Sequence, residues 1–238
     1  MMGLKKITDL FLDALFPERP FCVLCGARLS KGVHLLCGEC RDKLEPVSPP
    51  LCMKCGRPLD RENTVCTDCD GKNHYFIEAR AFGVYRGVLK EIIHLYKYRR
   101  ERRLSELIGL KMTETLQRQN WPSFDYLVAV PLHPERERER GFNQSLLLAR
   151  VISGRTGIPV FRGLLRTRPT EHQSLLEKPQ REANVAGAFT VKDGSKIRGK
   201  TLLLIDDVYT TGSTAGECSK ILLEAGAARV YVLTAARG

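Results

Sequence analysis

The stretch Thr201 to Thr214, Thr-Leu-Leu-Leu-Ile-Asp-Asp-Val-Tyr-Thr-Thr-Gly-Ser-Thr, constrains this chain more than any other. Leu202 to Ile205 form a short unbroken apolar run, as a strand covered on both faces of a parallel sheet requires. Asp206 and Asp207 follow. Then comes a loop in which Thr210, Thr211, Ser213 and Thr214 supply hydroxyls and Gly212 lets the backbone approach a ligand. From Ser213 onward, Cys218, Ile221, Leu222 and Ala225 fall at helical spacing. Strand, acid pair, hydroxyl loop and helix predict an α/β fold with a ligand at the carboxyl end of that strand. The N–H groups at the helix start favour a phosphate. The ionised aspartates only accept hydrogen bonds, so they suit sugar hydroxyls or a cation. A ribose 5-phosphate satisfies both halves. Two other readings compete. A Walker B strand needs a partner Gly-x-x-x-x-Gly-Lys-Ser/Thr loop, and this sequence has none. An N-capped helix after a buried strand needs no ligand at all.

Eight of the nine cysteines fall in four Cys-x-x-Cys pairs: Cys22/Cys25, Cys37/Cys40, Cys52/Cys55 and Cys66/Cys69. Two such pairs complete a tetrahedral Cys₄ zinc site. An internal repeat suggests which pairs combine. Cys-Val-Leu-Cys-Gly-Ala-Arg-Leu at Cys22 recurs as Cys-Met-Lys-Cys-Gly-Arg-Pro-Leu at Cys52, and Cys-Gly-Glu-Cys at Cys37 recurs as Cys-Thr-Asp-Cys at Cys66. Two consecutive structural zinc ribbons follow, with Gly26 and Gly56 in the knuckle turns. Spacing alone leaves a crossed pairing open. Disulfides fit poorly without a secretion signal, and four thiolates leave no open position for catalysis. His34 and His74 read as bystanders.

The 238 residues suffice for one large or two small domains, and 43% are hydrophobic, enough for a core. We expect an N-terminal helix and double ribbon over 1–72 and an α/β domain over 73–238. The formal net charge of +11 suits a polyanionic partner, although a generally basic surface gives the same number. No apolar run reaches membrane-spanning length, and the N-terminus lacks a signal-peptide pattern. The expected location is cytoplasmic, with any association with the inner face of the membrane made through partners.

In chain order, Leu4, Ile7, Leu10, Phe11, Ala14 and Leu15 mark an amphipathic helix. A proline-rich tract, Glu45 to Leu51, links the ribbons. Ala79 to Tyr85 reads as a strand, and Arg86 to Gln117 has helical periodicity interrupted by Lys97-Tyr98-Arg99-Arg100-Glu101-Arg102-Arg103. That basic stretch is either a solvated turn or a polyanion contact through Lys97, Arg99, Arg100, Arg102 and Arg103, with Tyr96 and Tyr98 able to stack on bases. Trp121-Pro122 breaks the helix, and Tyr126 to Val130 is the next buried strand. It runs into Pro131-Leu132-His133 and a charged loop, Glu135 to Gln144. There Arg136, Arg138 and Arg140 suit a pyrophosphate, or pair with the alternating glutamates. Ser145 to Thr156 reads as helix, Val160 to Leu165 as a strand and Phe189 to Val191 as an edge strand. Arg166 to Glu182 has no apolar period, and a loop this long is usually functional or disordered. Arg229 to Thr234 closes the sheet.

The Thr201–Thr214 stretch resembles the signature of the type I phosphoribosyltransferases, which bind phosphoribosyl pyrophosphate (PRPP). Together with the cysteine ribbons, the Arg-x-Arg-x-Arg-Gly-Phe-Asn-Gln run and the segment Gln173 to Phe189 with Arg181 and Asn184, it resembles the ComF family. The resemblance implies a type I phosphoribosyltransferase-like parallel sheet flanked by helices behind a small double zinc-ribbon module. It implies that Asp206 and Asp207 hold the ribose and that Thr210, Thr211, Gly212, Ser213 and Thr214 hold the 5′-phosphate. Pro131, Leu132 and His133 would face the pyrophosphate with Mg²⁺ bridging its oxygens, and Arg166, Arg168, Gln173 and Arg181 would belong to a flexible lid. Family members are associated with natural competence and with handling single-stranded DNA beside an ATP-driven helicase and other DNA-processing partners. Transfer of ribose 5-phosphate to a base or other acceptor is the alternative. No base-reading pattern is recognisable in Tyr75 to Pro122.

Overall fold

The structure, a computed structural model, describes residues 21–30, 35–62, 64–169 and 183–238. The expected helix over Leu4 to Leu15, His34, and the lid residues Gln173 and Arg181 lie outside them. By compactness the chain divides after Leu44. The first unit carries the Cys22–Cys40 ribbon and a short helix, α1 (Gly38–Asp42). The second, Glu45–Gly238, contains the second cysteine cluster and the sheet.

The second unit is built on a five-stranded, all-parallel sheet. Its strands are β1 (Ala79–Val84), β2 (Tyr126–Ala129), β3 (Val160–Phe161), β6 (Thr201–Tyr209) and β7 (Arg229–Arg237), in the order β1-β7-β6-β2-β3. The expected α/β class is therefore observed. β7, β6 and β2 are the interior strands, and the apolar runs of β6 and β7 are fully buried. The strand period of two sorts them. Leu202, Leu204, Val230 and Val232 share one core with Cys218 and Leu222 of helix α6 (Ser213–Glu224). Leu203, Ile205 and Leu233 point to the opposite face, where α3 (Leu104–Gln117) and α5 (Gln144–Thr156) pack on each other and on the sheet. Gly109 of α3 allows that packing, since a Cβ there would lie 2.6 Å from Val151. Helix α2 (Gly87–Tyr98) precedes α3, and the basic stretch between them is the turn that joins the two helices.

Three expectations need correction. Val160 to Leu165 is not one strand: β3 ends at Phe161, and β4 (Leu164–Arg166) pairs antiparallel with β5 (Phe189–Val191) in a separate two-stranded ribbon. Gly163 permits the break, because a Cβ there would sit 2.3 Å from the Lys192 carbonyl oxygen. β5 has the bounds expected of it, but it lies in this ribbon and not at an edge of the main sheet. The third correction concerns Glu135 to Arg140, which are not loop but helix α4 (Pro134–Arg140). Pro134 at its first turn and Gly141 just past its end, at φ +81°, are ordinary start and stop residues.

Candidate ligand site and metal centres

β6 continues past its apolar run, so Asp206 and Asp207 occupy strand positions near its carboxyl end. There they border a cavity of about 530 Å³. Helix α2 contributes Lys90, His94 and Lys97, spaced to share one face. Helix α4 contributes Arg136 and Arg140, α5 contributes Gln144 and Ser145, and β4 contributes Arg166. Thr210 and Thr214 line it from the loop, and Tyr85, Tyr98 and Leu132 complete the wall.

The two aspartates have different partners. Asp207 is 8% exposed and pairs with Lys97, Oδ1 to Nζ 2.7 Å. Burial works against the Lys97 charge, but the Asp207 carboxylate more than offsets it and raises the ammonium's pKa. Asp206 Oδ1 accepts from the Ser145 hydroxyl at 2.9 Å and from the Asp207 backbone N–H at 2.9 Å. Burial, with the neighbouring Asp207 charge, raises the Asp206 pKa to about 7; Lys97 and the two donors hold it from going higher. One carboxylate is thus neutralised by an ion pair while the other is poised near neutrality.

The loop beyond them turns at Gly212, φ +84°, where a Cβ would come within 2.2 Å of the Tyr209 hydroxyl. Only glycine fits. Thr211 Oγ1 and Ser213 Oγ lie 2.7 Å apart, and Thr211 Oγ1 also accepts from the Ser213 N–H at 3.4 Å. Thr211, Gly212 and Ser213 line a small hollow beside the main cavity, next to the unpaired N–H groups that any helix start presents. This end suits an oxyanion.

Helical spacing sorts the arginines of α4. Arg136 and Arg140, four apart, are half-buried and line the cavity; Arg138, two from each, is exposed. Arg140 donates to Gln144 Oε1 at 2.8 Å and lies over the Tyr98 ring at 5.5 Å. Desolvation and the neighbouring Arg140 charge lower the Arg136 pKa, and desolvation with Arg136 does the same at Arg166. An anion there would relieve that repulsion. Of Pro131, Leu132 and His133, only Leu132 reaches the cavity; Pro131 is buried beside a second hollow and His133 Nδ1 lies 3.5 Å from Glu135. Arg168 is exposed and donates to the Ala186 carbonyl at 2.7 Å.

The five basic residues in the last turn of α2 and the turn to α3 do not act as one patch. Lys97 belongs to the cavity. Arg100 and Arg102 donate to the carbonyls of Glu139 and Gly141, closing the end of α4, and Arg102 lies 5.0 Å from the Phe142 ring centre. Arg99 and Arg103 are exposed, with Arg103 2.9 Å from Glu101. Tyr96 is buried and donates to the Gln144 carbonyl at 2.9 Å, so it cannot stack on a base; Tyr98 is 49% exposed and can. Lys90, His94, Gln144 and Ser145 were not picked out from sequence as site residues. The first two follow from Lys97 by helical period.

The cysteines combine in chain order: Cys22, Cys25, Cys37 and Cys40 in one cluster, and Cys52, Cys55, Cys66 and Cys69 in the other, each with all sulfurs within 4.8 Å of one another. Cys25–Cys37 and Cys55–Cys66 sulfurs are 3.6 Å apart. A tetrahedral zinc with Zn–S of ~2.3 Å spaces its sulfurs by ~3.8 Å. In each knuckle the glycine N–H donates to the first cysteine's carbonyl at 3.0 Å, Gly26 to Cys22 and Gly56 to Cys52. The donor sets fit two structural zinc ions, whose contribution when bound is to cross-link the chain.

Over 224 residues, 87% of this chain and 90% of the relative, the sequence is 30% identical to the competence protein ComFC of Bacillus subtilis (strain 168). Over 216 residues, 89% and 94% of the two chains, it is 32% identical to the DNA utilization protein YhgH of Escherichia coli (strain K12). This chain belongs to the ComF family. A further ComF relative, competence protein F of Haemophilus influenzae, is 28% identical over 222 residues, covering 91% of this chain and 96% of the relative. Residues 11–70 match the double zinc ribbon domain. Among solved structures, the glutamine PRPP amidotransferase of B. subtilis matches 55% of this chain and 25% of its own length, at TM-score 0.38 and 22% identity. A purine phosphoribosyltransferase of Pyrococcus horikoshii matches 56% of this chain and 82% of its own, at TM-score 0.34 and 12% identity. Likenesses this distant add nothing to the topology already described.

Proposed function

We propose that this protein binds PRPP, as its Mg²⁺ complex, in the cavity at the carboxyl end of β6, and that it serves the handling of single-stranded DNA in natural transformation. One observation carries the ligand: a single cavity joins an acid pair, a hydroxyl loop at a helix start, and three arginines from two elements. In this reading the ribose hydroxyls donate to Asp206 and Asp207, the 5′-phosphate sits in the Thr210–Thr214 loop, and the pyrophosphate faces Arg136, Arg140 and Arg166. Mg²⁺, held by pyrophosphate oxygens, would neutralise part of their charge. Lys97 must share or release Asp207 when the sugar arrives. The names of the relatives, competence and DNA utilization proteins, support the DNA context, as does the +11 charge. A helicase and other DNA-processing partners belong to the same proposal. Transfer of the ribose 5-phosphate to an acceptor is the second reading. The cavity extends to Tyr85, Lys90, His94 and Tyr98, beyond the groups PRPP needs.

Calorimetric titration of PRPP with Mg²⁺ tests the site. Asp206→Asn with Asp207→Asn keeps shape and avoids leaving a hole beside Lys97. Each hydrogen bond to a charged group contributes roughly 1.5–3 kcal/mol, so the double variant should bind about 10²–10⁴-fold more weakly. Equal affinities, or no binding by folded wild type, would sink the proposal. A PRPP turnover assay with candidate acceptors, with and without DNA, separates binding from transfer.

A further inference from the structure

Arg237, near the end of β7, is 4% exposed. Its guanidinium lies between two regions of the same unit. On one side Nη2 donates to the sulfur of Cys55 at 3.5 Å. On the other, Nη1 donates to the carbonyls of Tyr209 at 3.4 Å and Thr210 at 3.0 Å, the residues that open the hydroxyl loop. The plane also lies over the Tyr209 ring, 4.8 Å from its centre, and that ring sits against Gly212. Nη1 also donates to the Gly238 oxygen. A guanidinium this buried is stabilised by negative charge at each of its sides, and on the ribbon side only the Cys55 sulfur is in contact among the described residues. Four thiolates on a Zn²⁺ carry a formal charge of minus two, and Cys55 is one of the four. Four neutral thiols carry none.

We infer that Arg237 is a positioning residue that ties the Thr210–Thr214 loop to the second Cys₄ metal centre, so that metal loading sets the geometry of the loop. With zinc bound, the tetrathiolate holds the guanidinium, and the guanidinium holds the first two carbonyls of the loop. Without it the guanidinium loses its charged partner on the ribbon side, and its hold on the Tyr209 and Thr210 carbonyls loosens. The second ribbon is therefore a support for the anion site, and a chelator or oxidant acting on Cys55 acts on the loop as well. The consequence for ligand affinity rests on the proposed PRPP site; the tie itself does not.

The test uses the full-length protein loaded with ¹¹³Cd, which gives one resonance per metal site. Arg237→Lys keeps the charge but cannot bridge both sides; Arg237→Gln keeps neither charge nor reach. Removing such an outer partner of a metal ligand typically costs 10–100-fold in affinity, so metal release to a chelator should quicken by about that factor at the Cys52–Cys69 site, with Arg237→Lys less affected than Arg237→Gln. The Cys22–Cys40 site should not change. Hydrogen exchange at residues 211–214 should quicken in both variants while α3 and α5 stay protected. The reciprocal arm leaves Arg237 intact: Gly212→Ala should shift the second resonance and not the first. In wild type, ribose 5-phosphate should shift that same resonance. Unchanged release and unchanged loop exchange in the variants would overturn the inference, as would a silent second resonance in Gly212→Ala. Absence of ribose 5-phosphate binding would count against the ligand proposal alone, because the other arms need no ligand.

Discussion

Asp206 is half-buried, with a pKa raised from 3.8 to about 7. A carboxyl whose pKa is higher in the folded protein stabilises it most fully below the unfolded value. That contribution is lost as pH rises through the folded value. Wild type should therefore lose stability relative to Asp206→Asn between pH 4 and 7, and thermal unfolding of both proteins across that range checks it. A constant difference would mean that Asp206 does not titrate there. Ligand affinity should run the other way, because ribose hydroxyls need the ionised form: PRPP should bind more tightly as pH rises through about 7. Ser145→Ala removes a hydrogen bond that lowers the Asp206 pKa, so it should move the midpoint of the PRPP profile upward; Asp206→Asn should flatten this part of the profile. The acid pair was plain in the sequence because two carboxylates ending an apolar run have few structural uses. Ser145 was not, since a serine at the start of a helix reads as an ordinary helix residue until the strand beside it is known.

Among the elements, helix α4 was the least legible. Alternating Glu and Arg gives no apolar face, so its periodicity is silent, and only Pro134 and Gly141 signal its ends. Without the helix the three arginines look equivalent. With it, Arg136→Met or Arg140→Met should weaken PRPP by roughly 10–150-fold at 1.5–3 kcal/mol per charged contact. Ribose 5-phosphate, which lacks the pyrophosphate, should be little affected, and Arg138→Met should change neither. Three equal losses by titration calorimetry would return the segment to a loop. α4 is also held from outside, by Arg100 and Arg102 on the carbonyls of Glu139 and Gly141. Alanine at both should quicken hydrogen exchange in α4 and weaken PRPP with it. The strands and the longer helices were legible because their apolar periods are strong; β4 was not, because a three-residue strand carries almost no period, and β5, found at its expected bounds, gave no sign that it pairs with β4 outside the main sheet.

Across the whole molecule, the +11 charge predicts single-stranded DNA binding that weakens steeply with salt. Arg99 is exposed where Lys97, Arg100 and Arg102 are engaged and Arg103 pairs with Glu101. Alanine at Arg99 should therefore reduce the log–log salt slope by about 0.7, the value of one phosphate contact. An unchanged slope by fluorescence anisotropy would remove the turn from the DNA surface. The metal content was legible, since four Cys-x-x-Cys pairs have one common explanation. That the second cluster shares a core with Phe76, Val232 and Tyr209 was not, because ligand spacing says nothing of what the ribbon's outer surface packs on. The sheet order has one more consequence, which concerns synthesis on the ribosome. β1, residues 79–84, has a single partner in the parallel sheet, and that partner is β7, residues 229–237. At 5–20 residues per second, β1 waits roughly 7–30 s for its neighbour to be made. Throughout that interval β1 has no strand beside it in the sheet, so its row of backbone N–H and C=O groups stays an open edge until β7 has left the exit tunnel.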